Sequence, residues 1–320
     1  MFDLVIIGAG PIGLACGIEA QKAGLSYVIL EKGYLVNSIY HYPHSMTFFS
    51  TADKIEIGKV PFISQNVKPN RSEALEYYRR VAMVFNLNIH LQEEVFRIIK
   101  LSDHFTLESK REAYNAKRIV IATGFYDHAN AMNIPGENLP KVQHYYQDAH
   151  PFFKRHVAVI GAANSAVDAA LELFRKGAES VSIIIRESEI SERVKYWVRP
   201  DIINRIKEGS IKAYFESECT RIEAEYLYIQ QAGQELKLKN DNVLALTGYK
   251  PDYKLLIELG LQFSDDAIKQ PIYNSETMES NIAGLYLAGV ICGGMQTNKW
   301  FIENSRGHAG MIIKHILTQI

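Results

Sequence analysis

Two stretches of this chain run from an apolar strand into a loop of small residues and on into a helix. They are Leu4-Val-Ile-Ile-Gly8-Ala-Gly10-Pro11-Ile12-Gly13 and Val157-Ala-Val-Ile-Gly161-Ala-Ala163-Asn164-Ser165-Ala166. A strand that is apolar along its whole length is buried on both faces, as in a parallel sheet covered by helices. The small-residue turn lets backbone N–H groups at a helix N-terminus converge, where they and the helix dipole attract phosphate. One such unit holds one dinucleotide. Two of them in 320 residues predict an α/β fold with two Rossmann-like dinucleotide-binding domains. Such a protein passes electrons between a flavin and a nicotinamide nucleotide.

The order of elements supports this reading. The first unit is a strand at about 3–7, a helix over about 11–23 and a second strand, Ser26–Leu30. A polar, aromatic-rich stretch, Tyr40–Phe62, follows. A helix is expected from Ser72 to about Phe85, with Ser72 as its cap and Glu73 and Glu76 in its first turn. Further strands are read at Asn88–Leu91, Val95–Ile99, Phe105–Leu107 and Arg118–Ala122. The last of these ends in Thr123-Gly124. After a loop marked by Pro135-Gly136 and Pro140, the pattern repeats: a helix over about 164–176, then a strand, Ser180–Ile185. Asn242–Leu246 leads to a second Thr-Gly pair at 247–248. Leu285–Gly289 runs through a Gly-rich turn into a last helix expected to begin near Phe301 to Asn304. The two Thr-Gly segments are the natural crossings between domains. We expect one domain made of residues 1–126 and 246–320, with a second, 127–245, inserted in it.

Each part of the first loop has a physical task. Gly8 permits the tight turn, Gly10 lets the backbone approach a pyrophosphate, and Gly13 lets helix and strand close up. Glu31 follows the second strand, 18 residues after Gly13, where a carboxylate accepts hydrogen bonds from ribose hydroxyls. In the second loop Ala163 and Ala166 replace glycines, and Asn164 and Ser165 open the helix, placed to cap it or to contact phosphate. The residue after the second strand is Arg186 rather than an acid. Arg pairs with a 2′-phosphate, so NADPH is preferred over NADH, and Arg193 and Lys195 add charge.

Composition narrows the partners. A net charge of −1 gives no support for nucleic acid or a membrane surface, and no apolar run is long enough to span a bilayer. Residue 8 already lies in the phosphate loop, which leaves no room for a secretory signal and makes a cytoplasmic location the expectation. The three cysteines, Cys16, Cys219 and Cys292, are widely spaced, as in a reducing compartment. No Cys/His cluster has metal-ligand spacing, so no metal is expected.

The N-terminal motif, Ala122-Thr-Gly124 and Leu287-Ala-Gly289 together resemble the FAD-binding set of two-dinucleotide-domain flavoproteins. The length is similar to that of low-molecular-weight thioredoxin reductases. More specific matches are Ser38-Ile-Tyr40-His41-Tyr42-Pro43 through Thr47-Phe48-Phe49-Ser50, Asp53-Lys54 and Val60-Pro61-Phe62. Others are His144-Tyr145, Ala149-His150-Pro151, Asn164-Ser165-Ala166, Gly248-Tyr249, Pro251-Asp252-Tyr253 and Phe301-Ile302-Glu303-Asn304. In combination they resemble the YpdA family of bacillithiol disulfide reductases. The resemblance implies hydride transfer from NADPH to FAD and then delivery of two electrons to a low-molecular-weight disulfide, in a homodimer.

It also implies FAD contacts from Gly8, Gly10, Pro11, Ile12, Gly13, Glu31 and Lys32, from Tyr40, Thr47, Phe48 and Val95, and from Ala122, Thr123 and Gly124. Gly289, Val290, Phe301 and Ile302 complete that set. NADPH contacts fall to Gly161, Ala163, Asn164, Ser165, Ala166, Arg186 and Arg193. Val290 stands where many relatives have an acid that binds the ribityl chain. The N-terminus of the last helix would face the flavin with its positive dipole end.

How electrons leave is less determined. Thioredoxin reductases of this size carry Cys-x-x-Cys ahead of the second fingerprint; the matching stretch here, residues 144–153, has no cysteine. Many YpdA members have a cysteine in the first loop where this chain has Ile12. Candidates for the exit are Cys16, one helical turn further on, Cys292 in the turn near the flavin, and His41, with His44 and His150 as further proton donors. A flavin-dependent monooxygenase, a ferredoxin–NADP reductase of the thioredoxin-reductase type and a redox sensor stay open as alternatives.

Overall fold

The computed structural model describes all 320 residues. Two compact units emerge, Met1–His128 with Tyr249–Ile320, and Ala129–Gly248. No helix is long and apolar enough to cross a membrane.

In the first unit β1 (Phe2–Ile7) leads into α1 (Pro11–Lys22). Proline suits the first helical position because its missing N–H would have no intrahelical partner there. α1 is buried almost all round, from Ile12 through Ile18, so packing rather than amphipathic patterning holds it. β2 (Tyr27–Glu31) and the short α2 (Asn37–Tyr40) follow.

α3 (Arg71–Val84) is capped by Asn70, not by the expected Ser72. Asn70 Oδ1 accepts from the Glu73 N–H at 2.9 Å, and Glu73 Oε2 accepts from the Asn70 N–H at 2.8 Å. This reciprocal box satisfies two donors at once, which a serine two residues further in cannot do. β3 (Ile89–Leu91), β4 (Val95–Lys100), β5 (Phe105–Ser109) and β6 (Ala113–Ile121) complete the first half.

The sheet core is parallel, in the order β3-β2-β1-β6. β6 is longer than the sequence suggests. Its first residues alternate between exposed and buried and pair antiparallel with β5, whereas its last three are buried together.

The chain enters the second unit through β7 (His128–Ala129) and β8 (Val142–Gln143). β9 (His156–Ile160), α4 (Asn164–Arg175) and β10 (Ser180–Ile184) repeat the strand–helix–strand order of β1, α1 and β2. α5 (Arg199–Lys207) and β11 (Lys212–Tyr214) come next. A meander of β12 (Ser217–Ile222), β13 (Tyr226–Gln231) and β14 (Gln234–Lys239) forms a separate antiparallel sheet that the sequence reading did not anticipate. β15 (Asn242–Ala245) returns to the parallel sheet, ordered β11-β10-β9-β15-β8.

The chain re-enters the first unit with β16 (Tyr249–Lys250) and α6 (Lys254–Glu258). β17 (Leu285–Leu287) pairs with the buried end of β6, Leu287 beside Ile121. The expected last helix is two pieces, α7 (Ile302–Ser305) and α8 (His308–Leu317). The break falls at Arg306, whose guanidinium donates to the carbonyls of Asp53 at 3.0 Å and Glu56 at 2.7 Å. Four residues carry little dipole, so the expected helix-end field from Phe301 is corrected to a short turn.

Candidate functional site

In each parallel sheet the strand order reverses beside the central strand, at β1 and at β9, and ligands of such sheets bind at that switch point. The loop after β1 is held tightly. Gly8 has φ +107°, and a Cβ there would meet the Ala122 carbonyl oxygen at 2.5 Å. A Cβ on Gly13 would lie 1.8 Å from the Gly8 oxygen, so only glycine lets α1 start this close to β1. A Cβ on Gly10 would meet nothing within 4 Å. That open face adjoins the first turn of α1, which no side chain caps.

Glu31 is buried at 6 % exposure. Its carboxylate accepts from the Ala9 N–H at 2.8 Å and the Gly33 N–H at 2.9 Å, so it shapes the phosphate loop as well as facing a ribose position. Burial pushes its carboxyl up from the ordinary value, against the two backbone N–H bonds. Lys32 is exposed and pairs with Asp127 at 2.9 Å, which commits the charge read as a cofactor contact.

Sequence reasoning missed Glu93. It is 1 % exposed, takes a short hydrogen bond from Ser109 Oγ, and lies 3.2 Å from Arg111 Nε. Its N–H donates to the Glu31 carbonyl at 2.8 Å, tying the end of β2 to the approach to Val95. One of two adjacent acids before a strand gave no signal of this.

Ile12 is 8 % exposed, and a Cβ on Gly289 would touch it at 3.3 Å. The Gly289 N–H donates to His308 Nδ1 at 3.2 Å. Burial pushes His308 down to about 4, so it is neutral, with its proton on Nε2. No motif pointed to His308. Val290 and Ile302 are half-buried, and Phe301 is exposed at the start of α7. Phe48 is buried, while Tyr40 is exposed, with the Arg71 guanidinium 5.5 Å from its ring and bonded to its carbonyl. Thr47 and His44 line a polar cleft of about 500 Å³ with Ser45, Asn66, Lys68, Asn70 and Ser72. His41 Nδ1 lies 2.9 Å from the Asn37 carbonyl, which places the ring proton on Nδ1 when the ring is neutral.

The loop after β9 repeats the first design with differences. Gly161 has φ +136°, and a Cβ there would meet the Leu246 oxygen at 2.4 Å. Ala166 stands fully buried where the first loop has Gly13. Ala163, Ser165, Arg186 and Arg193 are exposed. Two expectations are corrected. Asn164 neither caps α4, whose N-cap is Ala163, nor points its amide away from the protein. Its side chain accepts from the Lys195 N–H at 2.8 Å and donates to the Arg193 carbonyl at 3.3 Å. Lys195 is 7 % exposed, with Nζ 2.6 Å from Asp168 Oδ2, so its charge is already paired.

Residues 5–289 match the family model of the pyridine nucleotide-disulphide oxidoreductases. Bacilliredoxin reductase Bdr of Bacillus subtilis is 42% identical over 98% of this chain and 96% of its own. The solved bacillithiol disulfide reductase Bdr (YpdA) from Bacillus cereus is 41% identical, with a TM-score of 0.97 over 100% of this chain and 99% of that one. The chain belongs to the YpdA (Bdr) family of pyridine nucleotide-disulphide oxidoreductases. A thioredoxin reductase from T. acidophilum, 20% identical with a TM-score of 0.79 over 99% of this chain and 98% of its own, shares the fold.

The chain is therefore a flavin-dependent oxidoreductase with FAD and NAD(P)H as cofactors. The first unit fits a flavin nucleotide. Thr123 adjoins Gly8, its hydroxyl is buried without a partner, and a Cβ on Gly124, at φ +76°, would meet only Ser38 Oγ, at 3.9 Å.

The thiols this chain does have are hard to reach. Cys16 and Cys292 are both fully buried. Burial pushes the Cys16 thiol up to about 12 and that of Cys292 higher still. Cys219, half-buried on β12, is pushed up to about 11. A thiol that stays protonated is a poor nucleophile.

Proposed function

We propose that this protein is an NADPH-dependent bacillithiol disulfide reductase. NADPH, a proton and the disulfide become NADP⁺ and two thiols, with FAD carrying the electron pair. The observation that carries the reading is the likeness to Bdr along the whole chain. In this reading residues 1–126 and 246–320 hold FAD, and residues 127–245 hold NADPH. The backbone N–H groups of the Gly8–Gly13 loop take the flavin pyrophosphate, and Glu31 takes the adenosine ribose. The backbone N–H groups of Ala162 and Ala163 take the nicotinamide pyrophosphate, with the Asn164 side chain turned to residues 193 and 195 instead, and Arg186 and Arg193 take the 2′-phosphate. Bound FAD supplies the two-electron chemistry that no side chain here provides. Ile12, packed against Gly289, leaves no thiol in the first loop, so the substrate disulfide is cleaved without a mixed disulfide at residue 12. Few and widely spaced cysteines support a cytoplasmic setting, and a homodimer follows from the family resemblance.

The burial of Cys16 and Cys292, with the Cys219 thiol pushed up to about 11, favours one further reading, a ferredoxin–NADP reductase, which needs no protein thiol. NADPH oxidation with bacillithiol disulfide, with ferredoxin and with oxygen alone separates the two. Fast turnover with the disulfide is expected; fast turnover with ferredoxin only would replace our reading.

A further inference from the structure

We infer that Asn164, Asp168 and Lys195 form a polar staple that selects the nicotinamide nucleotide by fixing Arg193 at the start of α4. The inference rests on the proposed preference for NADPH and extends it to residues that do not touch the nucleotide.

Three observations lead to it. Asn164 grips the 193–195 segment at two backbone points, the Arg193 carbonyl and the Lys195 N–H. One turn further along the helix, Asp168 holds the Lys195 ammonium at 2.6 Å, with that side chain 8% exposed. The segment is thus tied to α4 through main chain and side chain together. Arg193, held between these ties, commits only its backbone, and its side chain is exposed and unpaired. Arg186 is also exposed and unpaired, two residues past Ile184, whose carbonyl accepts from the Gly161 N–H at 3.0 Å. The backbones of both arginines therefore flank the turn between β9 and α4.

Charge explains why the segment must be held. Besides the two free arginines it carries the exposed acids Glu187, Glu189 and Glu192, of which Glu189 lies 3.8 Å from Arg199. With Lys195 neutralised by Asp168, the segment is not net positive. A loose loop of this composition would offer a phosphate carboxylates as readily as guanidiniums. The staple turns it into an anion site by orientation. Asn164, Asp168 and Lys195 are positioning residues, and Arg186 and Arg193 are the ones that touch the phosphate.

The test is calorimetric titration of the FAD-loaded protein with 2′,5′-ADP and with 5′-AMP. The ratio of the two affinities isolates the 2′-phosphate. Wild type should favour 2′,5′-ADP, and Arg193→Ala should remove most of that preference. Asn164→Ala and Lys195→Gln should each lower the ratio about tenfold, with 5′-AMP binding unchanged, as expected for losing one charge-assisted contact by displacement. Asn164→Asp, which keeps an acceptor for the Lys195 N–H, should restore part of the ratio. A wild type without preference would sink the NADPH reading itself. A wild type with preference, lost in Arg193→Ala but untouched in both Asn164→Ala and Lys195→Gln, would overturn the staple alone. So would an equal loss of both ligands in those two variants, which would make the residues merely structural.

Discussion

The two nucleotide loops share one contact and differ in two others. In both, a left-handed glycine sits against the carbonyl that follows a neighbouring parallel strand: Gly8 on Ala122, Gly161 on Leu246. That contact recurs just before each Thr-Gly pair, so it belongs to the fold. The approach of the helix differs. α1 comes so close that Gly13 has no room for a methyl, whereas α4 stands far enough out to bury the methyl of Ala166. The end of the second strand differs too. Glu31 is buried and holds the loop from behind, while Arg186 is exposed and unpaired. The first loop is thus a rigid cradle suited to a cofactor that stays, and the second a more open one suited to a nucleotide that comes and goes.

Removing the first difference should have the largest effect. Gly13→Ala forces the helix off the loop and should cost more than about 3 kcal/mol, yielding protein without flavin absorbance. Ala166→Gly in the second loop should leave flavin content unchanged and lower stability by about 1 kcal/mol, measured by denaturant unfolding.

Next comes His308, which braces the turn at Gly289 and has no counterpart at the second loop. Its folded pKa lies below the ordinary histidine value. Its contribution is therefore present above about pH 6.5 and lost as the pH falls toward about 4, because only the unfolded chain takes up the proton in that window. The loss should approach about 3 kcal/mol across the window, and His308→Asn should flatten that part of the stability–pH curve.

Arg186→Ala should raise the KM for NADPH about tenfold with little change in kcat, and leave NADH kinetics unaltered, which confines the effect to the second loop. Smallest of all, Cys16→Ala and Cys292→Ala should each retain full turnover. A loss of turnover in either would reveal a thiol that the fold must open to expose.

The general plan was legible because it rests on local pattern. Strands apolar throughout, small-residue turns and the acid or base after the second strand are each written within about thirty residues. What escaped depends on partners distant in sequence. Asn164 was read as a cap or phosphate ligand because it opens a helix, but its amide is claimed by residues 193 and 195. Lys195 was read as available charge, and Asp168, within α4, takes it. Ser72 lost the cap to Asn70 because Glu73 closes a box with Asn70 alone. Glu93 and His308 belong to no motif, and their roles come from burial against Ser109 and Gly289. The meander of β12 to β14 is short and half-exposed, with a bulge between Cys219 and Arg221, and so gave weak alternation.

The difference between the loops is tested most directly by anaerobic titration of the flavin-loaded protein with NADPH and with NADH, following flavin bleaching. The acid behind the first loop and the free arginines beside the second predict bleaching by NADPH at concentrations at least about tenfold lower than by NADH. Equal response to the two nucleotides, or a preference for NADH, would contradict it.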